Sequence, residues 1–254
     1  MALFDTHAHL LSEQFDEDRA ALIKRLPSLG MEGLIEIGTT VDDSRAAARL
    51  AASVDYIYAA VGVHPHEAKD APGDYLDQLE TLIAQPKVVA IGEIGLDYHY
   101  DFSPRDVQQK VFSAQLALAK RLSLPVAIHM REATQDTLAI LHEHVGITGV
   151  MHCYSGSPET AELLVDMGLC VSFTGSVTFK NARKTVESAA VVPLNRIMAE
   201  TDSPYLAPEP VRGRRNDPSN VRHVLQRIAE IKGIPFEDMC RINIENAKGL
   251  YHIK

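Results

Sequence analysis

The chain has 254 residues, of which 46% are hydrophobic and 23% are charged. This composition excludes an intrinsically disordered chain, which would be richer in charged and polar residues. The formal net charge of −9 disfavours a protein that coats nucleic acid by bulk electrostatics, since such proteins are usually basic. An acidic enzyme can still engage a phosphate group at one local site.

The predicted elements alternate between short strands and helices along the chain. Eight apolar or β-branched runs are predicted as strands: Leu3–Thr6, Gly33–Gly38, Tyr56–Val63, Val88–Ile94, Pro125–Met130, Gly149–Cys153, Leu169–Thr174 and Ile197–Thr201. Amphipathic stretches between them are predicted as helices, among them Val41–Ala52, Pro104–Leu122, Glu132–His144, Pro158–Met167 and Asn181–Ala189. Strands that alternate with helices imply a parallel sheet, and eight such units in about 250 residues are typical of an α/β (β/α)8 TIM barrel.

The end of the chain holds two further helix candidates, Pro218–Ile231 and Phe236–Tyr251. One would be the eighth barrel helix and the other an additional C-terminal helix. Since no stretch is typical of an interdomain linker, we expect residues 1–254 to form one domain. A doubly wound open sheet is the alternative fold, and it is disfavoured because no GxGxxG turn follows the first strand.

The N-terminal residues, the apolar runs and the cysteines of the chain bear on its location. The N-terminal residues MALFDTHAHL lack the basic and apolar stretches of a signal peptide. No apolar run approaches the roughly 18 residues that a membrane helix needs. Three cysteines without CxxC spacing are typical of reduced, buried thiols. We therefore expect a cytoplasmic protein.

Histidines and carboxylates concentrate at the predicted C-terminal ends of the strands, where a TIM barrel places its chemistry. Five of the eleven histidines lie there: His7, His9, His64, His129 and His152. Glu93 follows the fourth strand and Asp202 follows the eighth. A lone histidine is more often a hydrogen-bonded core residue than a ligand. The convergence of so many groups on one rim instead indicates a metal site.

The number and spacing of these groups suggest two metal ions. His7 and His9 are two residues apart, so on a strand both imidazoles face the same side and can chelate one ion. A catalytic zinc-type site uses about three protein ligands and a water. Without His64, the remaining four histidines, Glu93 and Asp202 give six ligands, which suffice for two divalent ions if one carboxylate is shared. Mixed imidazole and carboxylate ligation suits zinc, manganese or iron and can accommodate magnesium, so the metal identity stays open.

Six motifs occur in an order and spacing similar to those of the TatD family of metal-dependent hydrolases. They are DTHAHL, GVHPH, GEIGLDYH, PVAIHMRE, HCYSG and ETDSPYLAPEPVRGRRNDP, and the resemblance runs from Asp5 to about Asn246. The resemblance implies a metal-dependent TIM barrel of the amidohydrolase type, whose characterised members are deoxyribonucleases. It also implies one metal bound by His7, His9, Glu93 and Asp202, and a second bound by Glu93, His129 and His152.

Glu93 is the candidate bridge between the two metals. Many amidohydrolases bridge their metals with a modified lysine at the end of a middle strand, but the predicted strands Val88–Ile94 and Pro125–Met130 contain no lysine. We therefore expect Glu93 and Asp202 to be catalytic residues. Asp202 would also act as the general base that takes a proton from the attacking water.

Other residues are candidate substrate contacts. Arg131, which follows His129 by two residues, and Arg214, in the basic segment Val211–Arg215, are expected to hold phosphate, because arginine can do so bidentately. His64 is expected to contact the substrate or to protonate the leaving group. Tyr154 stands where the family more often has phenylalanine and is expected to affect how a base or sugar stacks.

These features predict a metal-dependent hydrolase that acts on ester bonds, in particular a deoxyribonuclease with exonuclease-like action. It would bind DNA transiently as its substrate, with neither a membrane nor an obligate protein partner. A hydrolase of small amides, lactones or phosphate esters that uses the same binuclear site is the main alternative. The basic segment favours the nuclease. A metal-binding protein without turnover is a third hypothesis, and it would be expected to lack part of the ligand set.

Overall fold

The computed structural model describes residues 1–254, and eight strands form its sheet. The strands are β1 (Leu3–Ala8), β2 (Met31–Ile37), β3 (Ile57–Val61), β4 (Val88–Asp97), β5 (Val126–Arg131), β6 (Gly149–Met151), β7 (Cys170–Phe173) and β8 (Ile197–Ala199). They follow one another in the sheet in the order of the sequence. Such an order requires a crossover after each strand, as in a (β/α)8 barrel.

A helix follows each strand, and a ninth helix ends the chain. The helices are α1 (Arg19–Arg25), α2 (Val41–Ser53), α3 (Tyr75–Ile83), α4 (Arg105–Leu122), α5 (Thr134–Glu143), α6 (Pro158–Asp166), α7 (Arg183–Val191), α8 (Val221–Lys232) and α9 (Phe236–Tyr251). The predicted α/β TIM-barrel fold with an additional C-terminal helix is therefore confirmed. No helix combines the length and the apolar character needed to cross a membrane.

Residues at the helix ends show why these segments are helical. Thr40 precedes α2, and its hydroxyl accepts the backbone N–H of Asp43, which satisfies one of the free donors of the first turn. Asp42 and Asp43 also place negative charge at the positive end of the helix dipole. A glycine ends α8. At its C-terminal end, Gly233 adopts a left-handed conformation with φ of 66°, which favours glycine and stops the helix.

The chain divides into two compact units. The first comprises residues 1–36, 153–166 and 170–254, and the second comprises residues 37–152 and 167–169. The prediction that residues 1–254 form a single domain stays a prediction.

In the first unit, the end of strand β1 contacts the residues that follow strand β8. Ala8 at the end of β1 pairs in parallel with Ser203, and the carbonyl of His7 accepts the backbone N–H of Asp202 at 2.9 Å. Below this junction, the buried Asn243 of α9 accepts the N–H of Ala199 and donates to a β1 carbonyl. These contacts fix β1 against β8, so the side chains that follow both strands share one place.

In the second unit, β3, β4, β5 and β6 pair in parallel in that order. Strand β4 is longer than predicted, because Gly95, Leu96 and Asp97 continue to pair with β5 beyond Ile94. Strand β6 is shorter than predicted and ends at Met151. The longer β4 carries two carboxylates, Glu93 and Asp97, where the sequence predicted one.

Candidate metal centre

The first unit holds a cluster of two imidazoles and one carboxylate. His7 is fully buried at the end of β1, and His9 follows directly after that strand. Their Nε2 atoms lie 3.2 Å apart, and they lie 3.8 and 3.4 Å from Asp202 Oδ1. One potential ligand atom from each of the three residues lies within 4.8 Å of the other two. The structure thus brings together the chelating pair expected from the HxH spacing, with Asp202 beside it.

Buried carboxylates hold this cluster in place. Asp5 accepts three hydrogen bonds. Two come from Thr201, from its backbone N–H at 2.9 Å and its hydroxyl at 2.5 Å, and one comes from the backbone N–H of His7 at 3.3 Å. Burial raises the pKa of Asp5 well above its usual value, while these hydrogen bonds oppose the rise. Glu200 accepts the backbone N–H of Cys153 at 2.7 Å. Both carboxylates therefore orient the backbone of residues in or next to the cluster motifs.

The second unit holds a cluster centred on one carboxylate oxygen. Glu93 Oε1 lies 2.8 Å from His152 Nε2, 2.9 Å from His129 Nδ1 and 3.4 Å from His64 Nε2. Glu93, His64 and His152 are buried, and only His129 is partly exposed. The structure therefore brings the predicted ligands Glu93, His129 and His152 together. It adds His64, which the sequence had placed among the substrate contacts.

Asp97 links this cluster to its surroundings. Its Oδ2 atom accepts from His129 Nε2 at 3.1 Å and from His66 Nε2 at 3.0 Å. Donation of the Nε2–H to Asp97 favours the tautomer whose Nδ1 can offer a lone pair to a metal ion. Asp97 is thus a positioning residue for the imidazole of His129.

Burial and neighbouring charges shift the pKa values of the side chains in and around the second cluster. Burial lowers the pKa of His64 to about 4, against the opposing effect of the Glu93 carboxylate. Burial also disfavours the charged form of His129, but its contacts with Asp97 and Glu93 outweigh that effect and raise its pKa. For Asp97, burial is likewise outweighed by hydrogen bonds from His129, Tyr100 N–H and His66, which lower its pKa. His64 is therefore neutral at neutral pH, whereas His129 faces two carboxylates.

Both clusters have the donor chemistry of a divalent-metal site. In the first, two imidazole nitrogens face each other at 3.2 Å, and at most one can donate a proton to the other. In the second, three imidazole nitrogens crowd one carboxylate oxygen within 3.4 Å. A cation bound in each cluster would accept these lone pairs and relieve the repulsion between them. Mixed imidazole and carboxylate donors suit zinc and other first-row divalent metals. The residues present fit the metal expected from the sequence.

The predicted substrate contacts fall into different environments. Arg131 and Arg214 are exposed, and the Arg131 guanidinium lies 4.8 Å from the centre of the Tyr100 ring. Tyr154 is only 2% exposed, its ring packs edge-on against Phe173, and its hydroxyl donates to the Ser157 carbonyl. This placement gives Tyr154 a packing role and does not support the predicted contact with substrate.

The arginines of the segment Val211–Arg215 also differ from one another. Arg215 makes two hydrogen bonds of 2.8 and 2.6 Å to the Asp18 carboxylate and lies over the Phe15 ring, so it fastens the loop. Arg212 lies over the Phe179 ring, and its nearest carboxylate oxygen, on Glu209, is 3.9 Å away. Arg212 and Arg214 therefore remain the arginines of this segment that can hold an anion.

Asp97→Asn is expected to weaken metal binding about 10- to 100-fold, the usual effect of losing a residue that orients a ligand. The amide cannot accept from both His66 and His129 with the strength of a carboxylate, so the His129 tautomer is no longer fixed. Metal affinity by competition with a chelator is the measurement. Asp101→Asn is the matched control, because the exposed Asp101 pairs only with Arg105. Equal affinities in the two variants would remove Asp97 from this role.

Comparison with known proteins identifies similar sequences over nearly the whole chain. A sequence profile of the family described as TatD related DNase matches residues 4–252. The uncharacterized metal-dependent hydrolase YabD of Bacillus subtilis is 46% identical, and the alignment covers 99% of each chain. The 3'-5' ssDNA/RNA exonuclease TatD of Pectobacterium parmentieri is 35% identical over 99% of this chain and 100% of that one.

A solved structure is similar in fold as well as in sequence. The crystal structure of YJJV, a TatD homologue from Escherichia coli K12, superposes with a TM-score of 0.93 at 30% identity. The superposition covers 99% of this chain and 98% of the other.

Proposed function

From the premise that the chain belongs to the TatD family of metal-dependent hydrolases, we propose that it removes nucleotides from the 3′ end of single-stranded nucleic acid. The family and the class of reaction follow from the comparisons, and the enzyme is a hydrolase that acts on ester bonds. The polarity and the single-stranded substrate are inferred from the exonuclease named above, which aligns over its full length. The proposal keeps the exonuclease-like action expected from the sequence, adds the 3′-to-5′ polarity and extends the substrate from DNA to single-stranded nucleic acid.

The observation that carries the proposal is the set of contacts around Glu93 Oε1. Three imidazole nitrogens lie within 3.4 Å of that one oxygen, in a buried position at the C-terminal ends of parallel strands. Active sites of TIM-barrel enzymes lie at these strand ends. Histidines that only filled the core would be expected to satisfy their ring nitrogens separately, and three of them would not crowd one carboxylate oxygen.

We propose two divalent ions per chain, zinc, magnesium or manganese. His7, His9 and Asp202 would hold one, Glu93, His129 and His152 would hold the other, and Glu93 would be shared by both. His64 fits beside the second group as a neutral imidazole. When bound, the metal ions would lower the pKa of a water towards neutrality and offset the negative charge that builds on the phosphate.

Asp202 is the proposed general base. Its side chain is 15% exposed, so solvent reaches it, and its backbone N–H is fixed by the His7 carbonyl. The water oxygen forms a bond to phosphorus, Asp202 takes the released proton, the bond from phosphorus to the leaving oxygen breaks, and that oxygen takes up a proton from solvent. With a pKa of about 4, His64 is neutral at pH 7 and is better suited to accept a hydrogen bond than to supply the leaving group with a proton.

A direct assay separates this function from the alternative hydrolase. A 5′-labelled single-stranded oligonucleotide is expected to be shortened stepwise from its 3′ end in the presence of a divalent ion, faster than a blunt duplex. Simple amides and lactones are expected to react far more slowly. Rapid hydrolysis of an amide or lactone, with an intact oligonucleotide, would favour the small-molecule alternative. The predicted cytoplasmic location and the absence of an obligate protein partner stay predictions.

Arg212→Glu combined with Arg214→Glu is expected to raise KM for the oligonucleotide and to flatten its salt dependence. For single strands, the slope of log K against log salt falls by about 0.7 for each phosphate that the protein no longer neutralises. KM measured over a range of salt concentrations tests this. Arg227→Glu combined with Arg241→Glu is the control, because it makes the same charge change on α8 and α9. A similar rise in KM in both double variants would show that only the net charge matters.

A further inference from the structure

Two exposed aromatic rings lie on the loop that joins β4 to α4. Tyr100 is 47% exposed and Phe102 is 55% exposed, although large aromatic side chains usually bury most of their surface. The two rings are stacked, with centroids 5.2 Å apart and an angle of 20° between the planes. Packing in the core does not account for two rings that remain half in solvent.

Hydrogen bonds hold this loop in one conformation. Asp97 accepts the backbone N–H groups of His99 and Tyr100 at 3.0 and 2.9 Å. The buried Ser103 donates its hydroxyl to the His66 carbonyl, and its own carbonyl accepts from the Gln108 amide at 2.8 Å. A ring pair that is ordered before a ligand arrives has little conformational entropy left to lose on binding.

The ring pair adjoins the second metal cluster. The His66 ring lies 5.4 Å from the centre of Tyr100 and 4.8 Å from that of Phe102. His66 in turn contacts Asp97, which contacts His129. One side chain and one carboxylate therefore separate the exposed rings from a proposed metal ligand, and the His66 ring lies 6.3 Å from the His129 ring.

A cation accompanies the rings. The Arg131 guanidinium lies 4.8 Å from the centre of Tyr100 and is exposed. A flat apolar face next to a positive charge matches a nucleotide, since a base can stack on the more exposed Phe102 ring while its phosphate meets the guanidinium that lies over Tyr100. A purely hydrophobic peptide would leave the charge of Arg131 unused.

We propose that Tyr100 and Phe102 form a base-stacking subsite for one nucleotide of the single strand that is cleaved at the neighbouring metal centre. This proposal rests on the nuclease function proposed above and adds to it a site of substrate recognition. Because every base has a π face, the subsite selects unpaired nucleotides without selecting their sequence. A base in a duplex is already stacked and paired, so the subsite favours single strands.

The test combines substitutions with abasic oligonucleotides. Phe102→Ala in the metal-loaded enzyme is expected to lower kcat/KM for a single-stranded decanucleotide roughly 5- to 100-fold relative to that for bis-p-nitrophenyl phosphate. One base at a time is then removed from the first four positions at the 3′ end. The wild-type enzyme is expected to lose a similar factor at one of these positions, and Phe102→Ala is expected to lose nothing more there.

Further variants separate stacking from other effects. Phe102→Leu keeps apolar bulk without a flat face, so it is expected to behave like Phe102→Ala, whereas simple hydrophobic packing would leave it close to wild type. Tyr100→Ala is expected to show the same dependence on the base. Leu163→Ala, on α6, is the control for removing an exposed apolar side chain and is expected to have no effect.

The outcomes distinguish this proposal from the proposed function. Equal cleavage of all abasic oligonucleotides by the wild-type enzyme would overturn the subsite and leave the nuclease function standing. The second measurement is binding of a fluorescent phosphorothioate decanucleotide to the metal-loaded enzyme, followed by anisotropy. Binding with the expected base dependence but without cleavage of the natural strand would support the subsite and overturn the nuclease function. Neither binding nor cleavage would overturn both.

Discussion

Glu93→Gln is expected to reduce the bound metal towards one ion per chain and to lower kcat by more than about 100-fold. A glutamine amide has one acceptor oxygen, no negative charge, and an NH2 group that would face imidazole nitrogens. In the wild-type protein, Glu93 Oε1 contacts His129 and His152 at 2.9 and 2.8 Å, so the loss falls on the centre of the cluster. Elemental analysis after gel filtration, together with single-strand cleavage, measures both effects.

Glu132→Gln is the matched control for this change. Glu132 is exposed, pairs with His99 at 2.8 Å and makes no contact with the cluster. Its substitution is expected to leave metal content and rate unchanged. Two tightly bound metal ions in the Glu93→Gln variant, with its circular dichroism spectrum intact, would remove Glu93 from the bridging role. A single ion in the wild-type protein would contradict the proposed pair of ions.

The fold, and the clustering of the proposed metal ligands, can be predicted because both depend on periodic patterns. Parallel strands are buried on both faces, so each appears in the sequence as an apolar run. The run ends at the polar residues that follow the strand. His7 and His9 are two residues apart, and their rings lie together even though β1 ends at Ala8. Their proximity follows from local spacing, which a sequence displays directly.

Asp97 is not among the predicted site residues because the predicted strand ends at Ile94, whereas β4 continues to Asp97. Within a strand, alternation places Glu93 and Asp97 on one face. Gly95 allows the extension. Its φ is 142°, and a Cβ there would lie 1.9 Å from the His129 carbonyl oxygen. The glycine in GEIGLD was the available signal, since a glycine inside a strand often marks a close approach of two backbones.

The roles of Tyr154 and Arg215 depend on contacts that the local sequence does not contain. Tyr154 is covered by Phe173 of β7, and its hydroxyl is satisfied by the Ser157 carbonyl. Arg215 pairs with Asp18, which lies 197 positions earlier in the chain. An aromatic residue or an arginine near a rim motif has the same sequence signature whether it meets a ligand or fastens a loop.

Asp202→Asn is expected to lower kcat by about 10²–10⁴, the usual contribution of a positioned acid or base. Asparagine keeps an oxygen for ligation but cannot accept the proton of the attacking water. Metal content is expected to fall only in part, because His7, His9 and Glu93 remain. The rate is expected to recover in part at higher pH, where hydroxide supplies the deprotonated water. Cleavage rates from pH 6 to 10, with metal content measured in parallel, test both expectations.

A purely metal-binding role for Asp202 leads to the opposite pattern. Excess metal would then restore the Asp202→Asn variant at neutral pH, and a higher pH would add little, because the missing function would be ligation. Asp166→Asn, at the exposed end of α6, is the control for the same chemical change away from both clusters. The general-base assignment is therefore overturned by a metal-restored variant that works near the wild-type rate at pH 7. That result would leave the two metal clusters intact and would require another acceptor for the proton of the water.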